Sequence, residues 1–296
     1  MIATKTLEAI EAALVADQGA RYRGLLKINM PLAEDAYRDT EERFRTHLGA
    51  SMLGRECSRE IWYGFRWYTE KRHAGKMIRL FNRGHLEEPR MVSLLQLIGV
   101  KTFQFDDRGK QFRISKGHLG HGGGGMDGVA LGVPDFPEEY MLTEYKTHGE
   151  KSFLKLKEEG LLKAKWEHFV QCQFYMGDQK LEKALYVATN KNTDDIHAEI
   201  IKADQSQYKR YLLRQQQIID AKTPPPRIAG AKDETFFKCT FCDHKPICWL
   251  GKAPVKTCRS CRHVEIMSEG RWHCTLHHEL RTAAEQEMGC PQHQVI

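Results

Sequence analysis

GGGGMDGVALGVPDFPEEYMLTEYK, residues 122–146, puts an aspartate just after a glycine run and an acid-x-lysine at the end of the next apolar run. Met126–Val133 and Tyr140–Lys146 have the apolar, β-branched content of strands. Val-Pro-Asp-Phe-Pro between them supplies a turn, because proline cannot continue a central strand. The pattern predicts a β-hairpin. Glu144 and Lys146 are two apart and so share one face of the second strand, while Asp127 near the start of the first can meet them across the pair. Two carboxylates a few ångströms apart repel each other, which makes them a poor structural pair but a good cage for a hard divalent cation. The adjacent lysine is placed to hold an anion or a water near such an ion. The apolar flanks argue for central strands rather than a solvent-facing pair.

On the N-terminal side, residues 1 to about 50 read as helices. Ile10 and Leu14 repeat at helical spacing, and Ala33–His47 is rich in helix formers. Cys57 lies beside Ile61, Trp62 and Phe65 and by itself reads as a core thiol. Arg83-Gly84 punctuates the start of a helix over residues 80–100, which puts Glu87 and Glu88 in or near its first turn, as helix-dipole partners or as a third acid of the site. Thr102–Phe105 and Gln111–Ser115 read as strands joined by an Asp-Asp-Arg-Gly turn. The run GHLGHGGGG lacks GK[ST] and a following helix, so it is no phosphate-cradling loop. It reads as a flexible turn ahead of the strand at Met126, and its glycines also permit close backbone approach.

On the C-terminal side, Ser152–Met176 reads as a long helix or helix pair with Trp166, Phe169, Val170 and Phe174 on its apolar side. Gln171 and Tyr175 stand four apart on one face of it, and Cys172 reads as a buried thiol. Leu185–Asn190 and Ile196–Ile201 read as strands, Gln205–Ala221 as a helix, and TPPPRIAGAKDE, 223–234, as a linker. Helices alternating with strands give an α/β class with a mixed sheet.

The totals bound the rest. A chain of 296 residues with net charge +6 is large enough for a proper core, and its mildly basic balance is compatible with a polyanionic partner. No apolar run approaches bilayer-spanning length and the N-terminus lacks a signal-type apolar core, so the expected location is the cytoplasm, with no membrane partner. Of nine cysteines, Cys239, Cys242, Cys248, Cys258, Cys261, Cys274 and Cys290 crowd the tail with two CxxC pairs. Without a secretion signal, that pattern favours metal binding over disulfides.

Gly-x-x-Asp ending at Asp127, then Glu144-Tyr145-Lys146, then Gln171-x3-Tyr175 on a helix resembles the PD-(D/E)xK nuclease superfamily. Within it the chain is similar to the RecB-type branch that includes lambda-exonuclease-like and YqaJ-like phage recombination nucleases. That branch carries an earlier Gly-x3-Glu-Pro, matched here by Gly84-x3-Glu88-Pro89; His85 lies three positions too early for the histidine version. The resemblance implies a restriction-endonuclease-like mixed β-sheet flanked by helices. It implies Mg²⁺ or Mn²⁺ held by Asp127, Glu144 and the Tyr145 carbonyl, with Glu88 completing the site. Lys146 would orient the attacking water or stabilise transition-state charge, supported by Gln171 and Tyr175. The implied activity is a DNA exonuclease that leaves 5′-phosphates, 5′→3′ or single-strand-specific, for end processing in recombination or repair, with a phage as the implied source. A single-strand annealing or binding protein is the implied partner.

Cys239-x2-Cys242-x5-Cys248 lacks a fourth ligand nearby. Iron–sulfur nucleases of the AddB and CRISPR-adaptation kind complete such a set with a cysteine upstream of the core, and Cys57 stands there in Leu53-Gly54-x2-Cys57-x-Arg59. The resemblance thus implies a [4Fe–4S] cluster, although four thiolates also suit zinc. Cys258, Cys261, Cys274 and Cys290 fit a separate Zn²⁺ site in a small zinc-ribbon-like module outside the resemblance, with His263, His273, His277, His278 and His293 as substitute ligands. Along the sequence this gives a helical region at 1–50, a nuclease core at 51–250 and a zinc module at 251–296. Two other readings of the same residues are a structure-specific or adaptation-type endonuclease and a non-catalytic nucleic-acid-binding metalloprotein.

Overall fold

The computed structural model describes residues 1–40, 42–114 and 117–296. In chain order, helices α1 (Thr4–Asp17), α2 (Ala20–Asn29) and α3 (Glu34–Tyr37) precede strand β1 (Leu48–Gly49) and helix α4 (Ser58–Phe65). The long α5 (Gly75–Leu97) leads into strands β2 (Lys101–Phe103), β3 (Arg113–Ile114), β4 (Gly122–Gly125), β5 (Gly128–Leu131) and β6 (Met141–His148). Helices α6 (Glu150–Glu159), α7 (Leu161–Ala164) and α8 (Trp166–Gln179) follow, then β7 (Lys183–Asn190), β8 (Ile196–Lys202) and α9 (Gln205–Asp220). The tail holds α10 (Phe237–Thr240), α11 (Lys245–Cys248), β9 (Val264–Ile266), β10 (Trp272–Cys274), β11 (Glu279–Arg281) and α12 (Ala283–Met288).

The chain divides into two compact units. Met1–Glu41, His73–Arg113 and Gly125–Tyr208 build the first; Glu42–Arg72, Ile114–Gly124 and Lys209–Ile296 build the second. The units interleave along the sequence, whereas the linear reading cuts the chain near 50 and 250.

The first unit is a mixed sheet in the order β2-β5-β6-β7-β8, parallel only between β6 and β7. The expected hairpin is its centre, with Gly128 opposite Thr143 and Ala130 opposite Met141. Side chains alternate across the sheet. Ala130, Met141, Tyr145, Leu185, Val187, Ala198 and Ile200 pack with Met91, Val92 and Leu95 of α5 and Ile10 of α1 in one apolar core. Helix α8 packs on β6 and β7. The fold is thus α/β, a mixed sheet flanked by helices.

Several local expectations change. The stretch Ala33–His47 is helical only over α3. Tertiary packing overrides propensity beyond it: the ring of Phe44 stacks on Trp67 at 4.9 Å. Helix α5 starts at Gly75, well before Arg83-Gly84, and runs through Pro89. Glu87 and Glu88 therefore sit mid-helix, away from the positive end of the dipole. The predicted strand pair around Asp106 closes as a hairpin, with Asp106 Oδ1 accepting from the Arg108 and Lys110 amides at 2.9 Å. Its two strands then part, β2 to β5 and β3 to the three-stranded order β1-β4-β3. The last residue of that predicted pair, Ser115, lies outside the described residues.

The glycine run is strand β4 rather than a flexible turn. Within the second unit a Cβ on Gly122 would lie 2.3 Å from the Gln215 side chain, and one on Gly123 would lie 2.7 Å from the Ile114 carbonyl. The glycines serve close approach to the protein's own chain. Ser152–Met176 is three helices, broken at Gly160 (φ +75°) and at Lys165 (φ −142°). In the second unit β11-β10-β9 form an antiparallel sheet, Trp272 pairing with Ile266 and with Arg281.

Candidate functional site

The site in the first unit starts at the turn into β5. Gly128 has φ +153°, and a Cβ there would stand 2.7 Å from the Phe103 carbonyl, so only glycine lets the chain fold Asp127 back against β6. Asp127 Oδ2 accepts a hydrogen bond from the Tyr145 amide at 2.7 Å. Glu144 is fully buried, and its Oε1 is ion-paired to Lys146 Nζ. The same ammonium donates to the Tyr145 carbonyl at 3.1 Å and stands 3.8 Å from Asp127 Oδ2. Two carboxylates, one carbonyl and one ammonium thus meet in a nearly dry space.

Electrostatics follows from that crowding. Burial, then the charge of Glu144, pushes Asp127 well above the usual carboxylate range, against the pull of Lys146. Burial raises Glu144 as well, with Lys146 opposing it. Lys146 is held well above the ordinary lysine value because Glu144 and Asp127 outweigh its own desolvation. Glu144 Oε2 is buried and, among the described residues, has no hydrogen-bond partner. A buried, unpaired carboxylate oxygen costs folding free energy unless something supplies positive charge to it.

Glu88 lies on α5 with its side chain one-third exposed. Its charge raises Asp127, Glu144 and Tyr145 alike, which places it with the acids. His85 Nδ1 stands 3.8 Å from Glu88 Oε1 and is raised by it. Glu87 turns away and pairs with Arg90 at 3.1 Å. A cavity of about 670 Å³ opens at His85, Glu88 and Pro89, with Phe105, Phe112 and Gln104 on the facing hairpin. Gln171 and Tyr175 are buried on α8; Gln171 bonds the Tyr175 hydroxyl, and Glu144 and Asp127 raise that phenol further after burial. Six of the expected residues are therefore brought together: Glu88, Asp127, Glu144, Lys146, Gln171 and Tyr175. Three neighbours escaped the sequence reading, His148, His168 and Tyr186. His148 continues the two-residue period from Glu144 through Lys146, and His168 stands one turn before Gln171, so both carried a legible signal.

Cys172 is buried on α8 in the first unit; the other eight cysteines lie in the second. Cys57, Cys239, Cys242 and Cys248 line one small cavity of about 20 Å³ with Arg59, Tyr63, Arg227 and Lys245. Cys57 is the residue that caps α4. Burial raises Cys57, and pushes Cys242 up to about 11 with Glu60 and Cys57 adding to it, so these two thiols hold their protons. Cys258, Cys261, Cys274 and Cys290 line a second cavity of about 170 Å³ with His263, His277 and His293. Gln294 donates its amide to Cys261 Sγ at 3.5 Å, the kind of outer contact that steadies a thiolate ligand. His293 is occupied by Ser260 Oγ at 2.9 Å. Among the described residues no three His, Cys, Asp or Glu side chains already stand in metal-holding geometry, and no helix is long and apolar enough to cross a membrane.

Fold and site define an α/β protein with a buried paired-carboxylate and lysine centre on a mixed sheet. No protein-family model and no curated protein sequence matches the chain. Among solved structures it is similar to SSO0001, at 17% identity and TM-score 0.39, over 78% of this chain and 97% of that one. It is also similar to an alkaline exonuclease, LHK-Exo from Laribacter hongkongensis, at 14% identity and TM-score 0.44, over 58% of this chain and 86% of that one. The complex of LHK-Exo with dAMP matches at 13% identity and TM-score 0.41, over 58% of this chain and 86% of that one.

Proposed function

We propose that the chain is a divalent-metal-dependent deoxyribonuclease whose centre is Asp127, Glu144 and Lys146. The observation that carries this reading is Glu144 Oε2, buried and without a hydrogen-bond partner among the described residues, beside a second carboxylate that burial and repulsion hold above its usual range. This donor set fits a hard cation: carboxylate oxygens of Asp127 and Glu144, the Tyr145 carbonyl, and Glu88 at the open edge. When bound, Mg²⁺ or Mn²⁺ would neutralise the scissile phosphate and make a bound water acidic. The chain's own residues do the rest. Lys146, already bonded to Glu144 and Tyr145, offers its ammonium to the attacking water or to the charge that grows on the phosphate. Tyr175 and Gln171 wall the acids from α8. The cavity at Glu88 lies in the size range of small-ligand sites, and its phenylalanines suit a nucleobase.

DNA end processing by an exonuclease is the finer reading, 5′→3′ in recombination or repair, and it rests on the motif resemblance. End-labelled linear DNA and covalently closed circular DNA, each with Mg²⁺ and with EDTA, test it. The exonuclease reading expects Mg²⁺-dependent loss of the linear form alone. Cleavage of the circle moves the assignment to an endonuclease, and binding without cleavage moves it to a non-catalytic metalloprotein.

Cys57, Cys239, Cys242 and Cys248 are proposed to hold a [4Fe–4S] cluster, with Arg59, Arg227 and Lys245 offsetting its thiolates. The cavity of about 20 Å³ favours a second reading, a single zinc ion. Anaerobic metal analysis separates them, four iron against one zinc at this site. Cys258, Cys261, Cys274 and Cys290 are proposed to hold a structural Zn²⁺.

A further inference from the structure

Tyr186 stands on β7 directly across from Glu144 in the parallel β6–β7 register. Its hydroxyl meets His148 Nε2 at 3.0 Å and His168 Nδ1 at 2.9 Å. His148 Nδ1 in turn meets Ser152 Oγ at 3.2 Å. Tyr186 is fully buried and His148 nearly so. A phenol carries one proton, so its oxygen donates to one imidazole and accepts an N–H from the other, an arrangement that uses both rings in their neutral form. The surroundings favour that form: burial and the charges of Lys146, Lys165 and Lys191 bear on His148, and burial and Lys146 bear on His168.

These three side chains form an uncharged, hydrogen-bonded cluster on the same sheet face as Glu144 and Lys146. Lys146 is within electrostatic reach of all three. Its polar contacts are with Glu144 and the Tyr145 carbonyl, with Asp127 at 3.8 Å. Cys172, Glu199 and His197 also bear on this cluster, and His197 Nε2 meets Glu199 Oε1 at 2.9 Å. We infer that His148, Tyr186 and His168 are positioning residues for Lys146: the hydrogen-bonded triplet ties β7 and α8 to β6 beside the lysine and keeps its ammonium on the carboxylate side of the site. This inference rests on the nuclease reading for its kinetic arm alone.

The test is Tyr186→Phe, which keeps the ring and removes the hydroxyl. The expected result is a kcat about tenfold lower with KM within about twofold, as befits a group that orients a catalytic residue and does not bind substrate. In a Lys146→Gln background the same change removes nothing further, because the effect passes through the lysine. His168→Asn, which keeps a polar group near the position of Nδ1, retains more activity than His168→Leu; this second pair keeps the question open if Tyr186→Phe does not fold. Independently of activity, NMR of ¹⁵N,¹³C-labelled protein reads the Lys146 side-chain resonance, which shifts in Tyr186→Phe. An unchanged kcat, an equal loss in both backgrounds, or an unmoved Lys146 resonance overturns the inference. A wild type that degrades no DNA sinks the nuclease reading instead and leaves the NMR arm standing.

Discussion

Glu144 is the residue on which the proposed chemistry turns, because its charge is buried and, among the described residues, only one of its oxygens has a partner. Removing that answer is the sharpest stability test. Lys146→Met leaves two buried carboxylates without their cation and costs about 3 kcal/mol of stability in EDTA, since an uncompensated buried charge is expensive. Denaturant titration reads it, and Mg²⁺ recovers part of the loss by binding only the folded state. Asp127→Asn acts in the opposite sense: it removes a carboxylate already strained by burial, so stability in EDTA holds or rises while kcat falls by about 10³-fold or more. Away from the site, His121 is pushed down to about 4 by burial and by the nearby Arg259 and Arg66. Its folded form stays neutral where the unfolded chain takes up a proton, so its contribution is full above about pH 6.5 and is lost as pH falls towards about 4. Because His121 is almost wholly buried, this is worth on the order of 2–3 kcal/mol. Urea unfolding of His121→Gln should show a shallower stability loss over that window; an identical slope would reject the assignment.

At the scale of the element, the hairpin positions everything else. Gly128→Ala brings a Cβ within 2.7 Å of the Phe103 carbonyl at a backbone angle that side chains avoid. It should cost about 2–3 kcal/mol and lower activity more than stability, because the strain falls on the turn that aims Asp127. Thermal melts and rates on the same preparation separate the two effects. This hairpin was legible because strand alternation, a proline turn and the acid spacing agree with one another. Gln171 and Tyr175 were legible because four residues return to one helical face. The start of α5 was missed although Met77, Leu80 and Phe81 stand at i, i+3 and i+4: Arg83-Gly84 reads locally as a helix start, and those apolar side chains are exposed rather than part of the buried face. The glycine strand β4 was hidden for a different reason: what makes glycine necessary there is the nearness of Gln215 and Ile114, residues distant or unmarked in the local sequence. Tyr186 gave no signal either, because its partners come from another strand and another helix.

At the scale of the whole molecule, two interleaved units carry two kinds of chemistry: a carboxylate–lysine centre in the first and two four-cysteine sets in the second. The cysteine sets could be counted in the sequence, and the motif resemblance already joined Cys57 to Cys239, Cys242 and Cys248; the fold brings Cys57, at the cap of α4, to one cavity with the other three. Cys274→Ser should release the last strands and α12 to limited proteolysis while leaving first-unit histidine and lysine resonances in place, because so short a segment depends on its metal for folding energy. The central claim is that Asp127, Glu144 and Lys146 form a metal-dependent nuclease centre. The most direct measurement is nucleotide release from linear DNA by wild type and Asp127→Asn side by side, with Mg²⁺ and with EDTA. The account predicts release by the wild type with Mg²⁺ and by neither protein otherwise; equal release by the variant, or release that persists in EDTA, would contradict it.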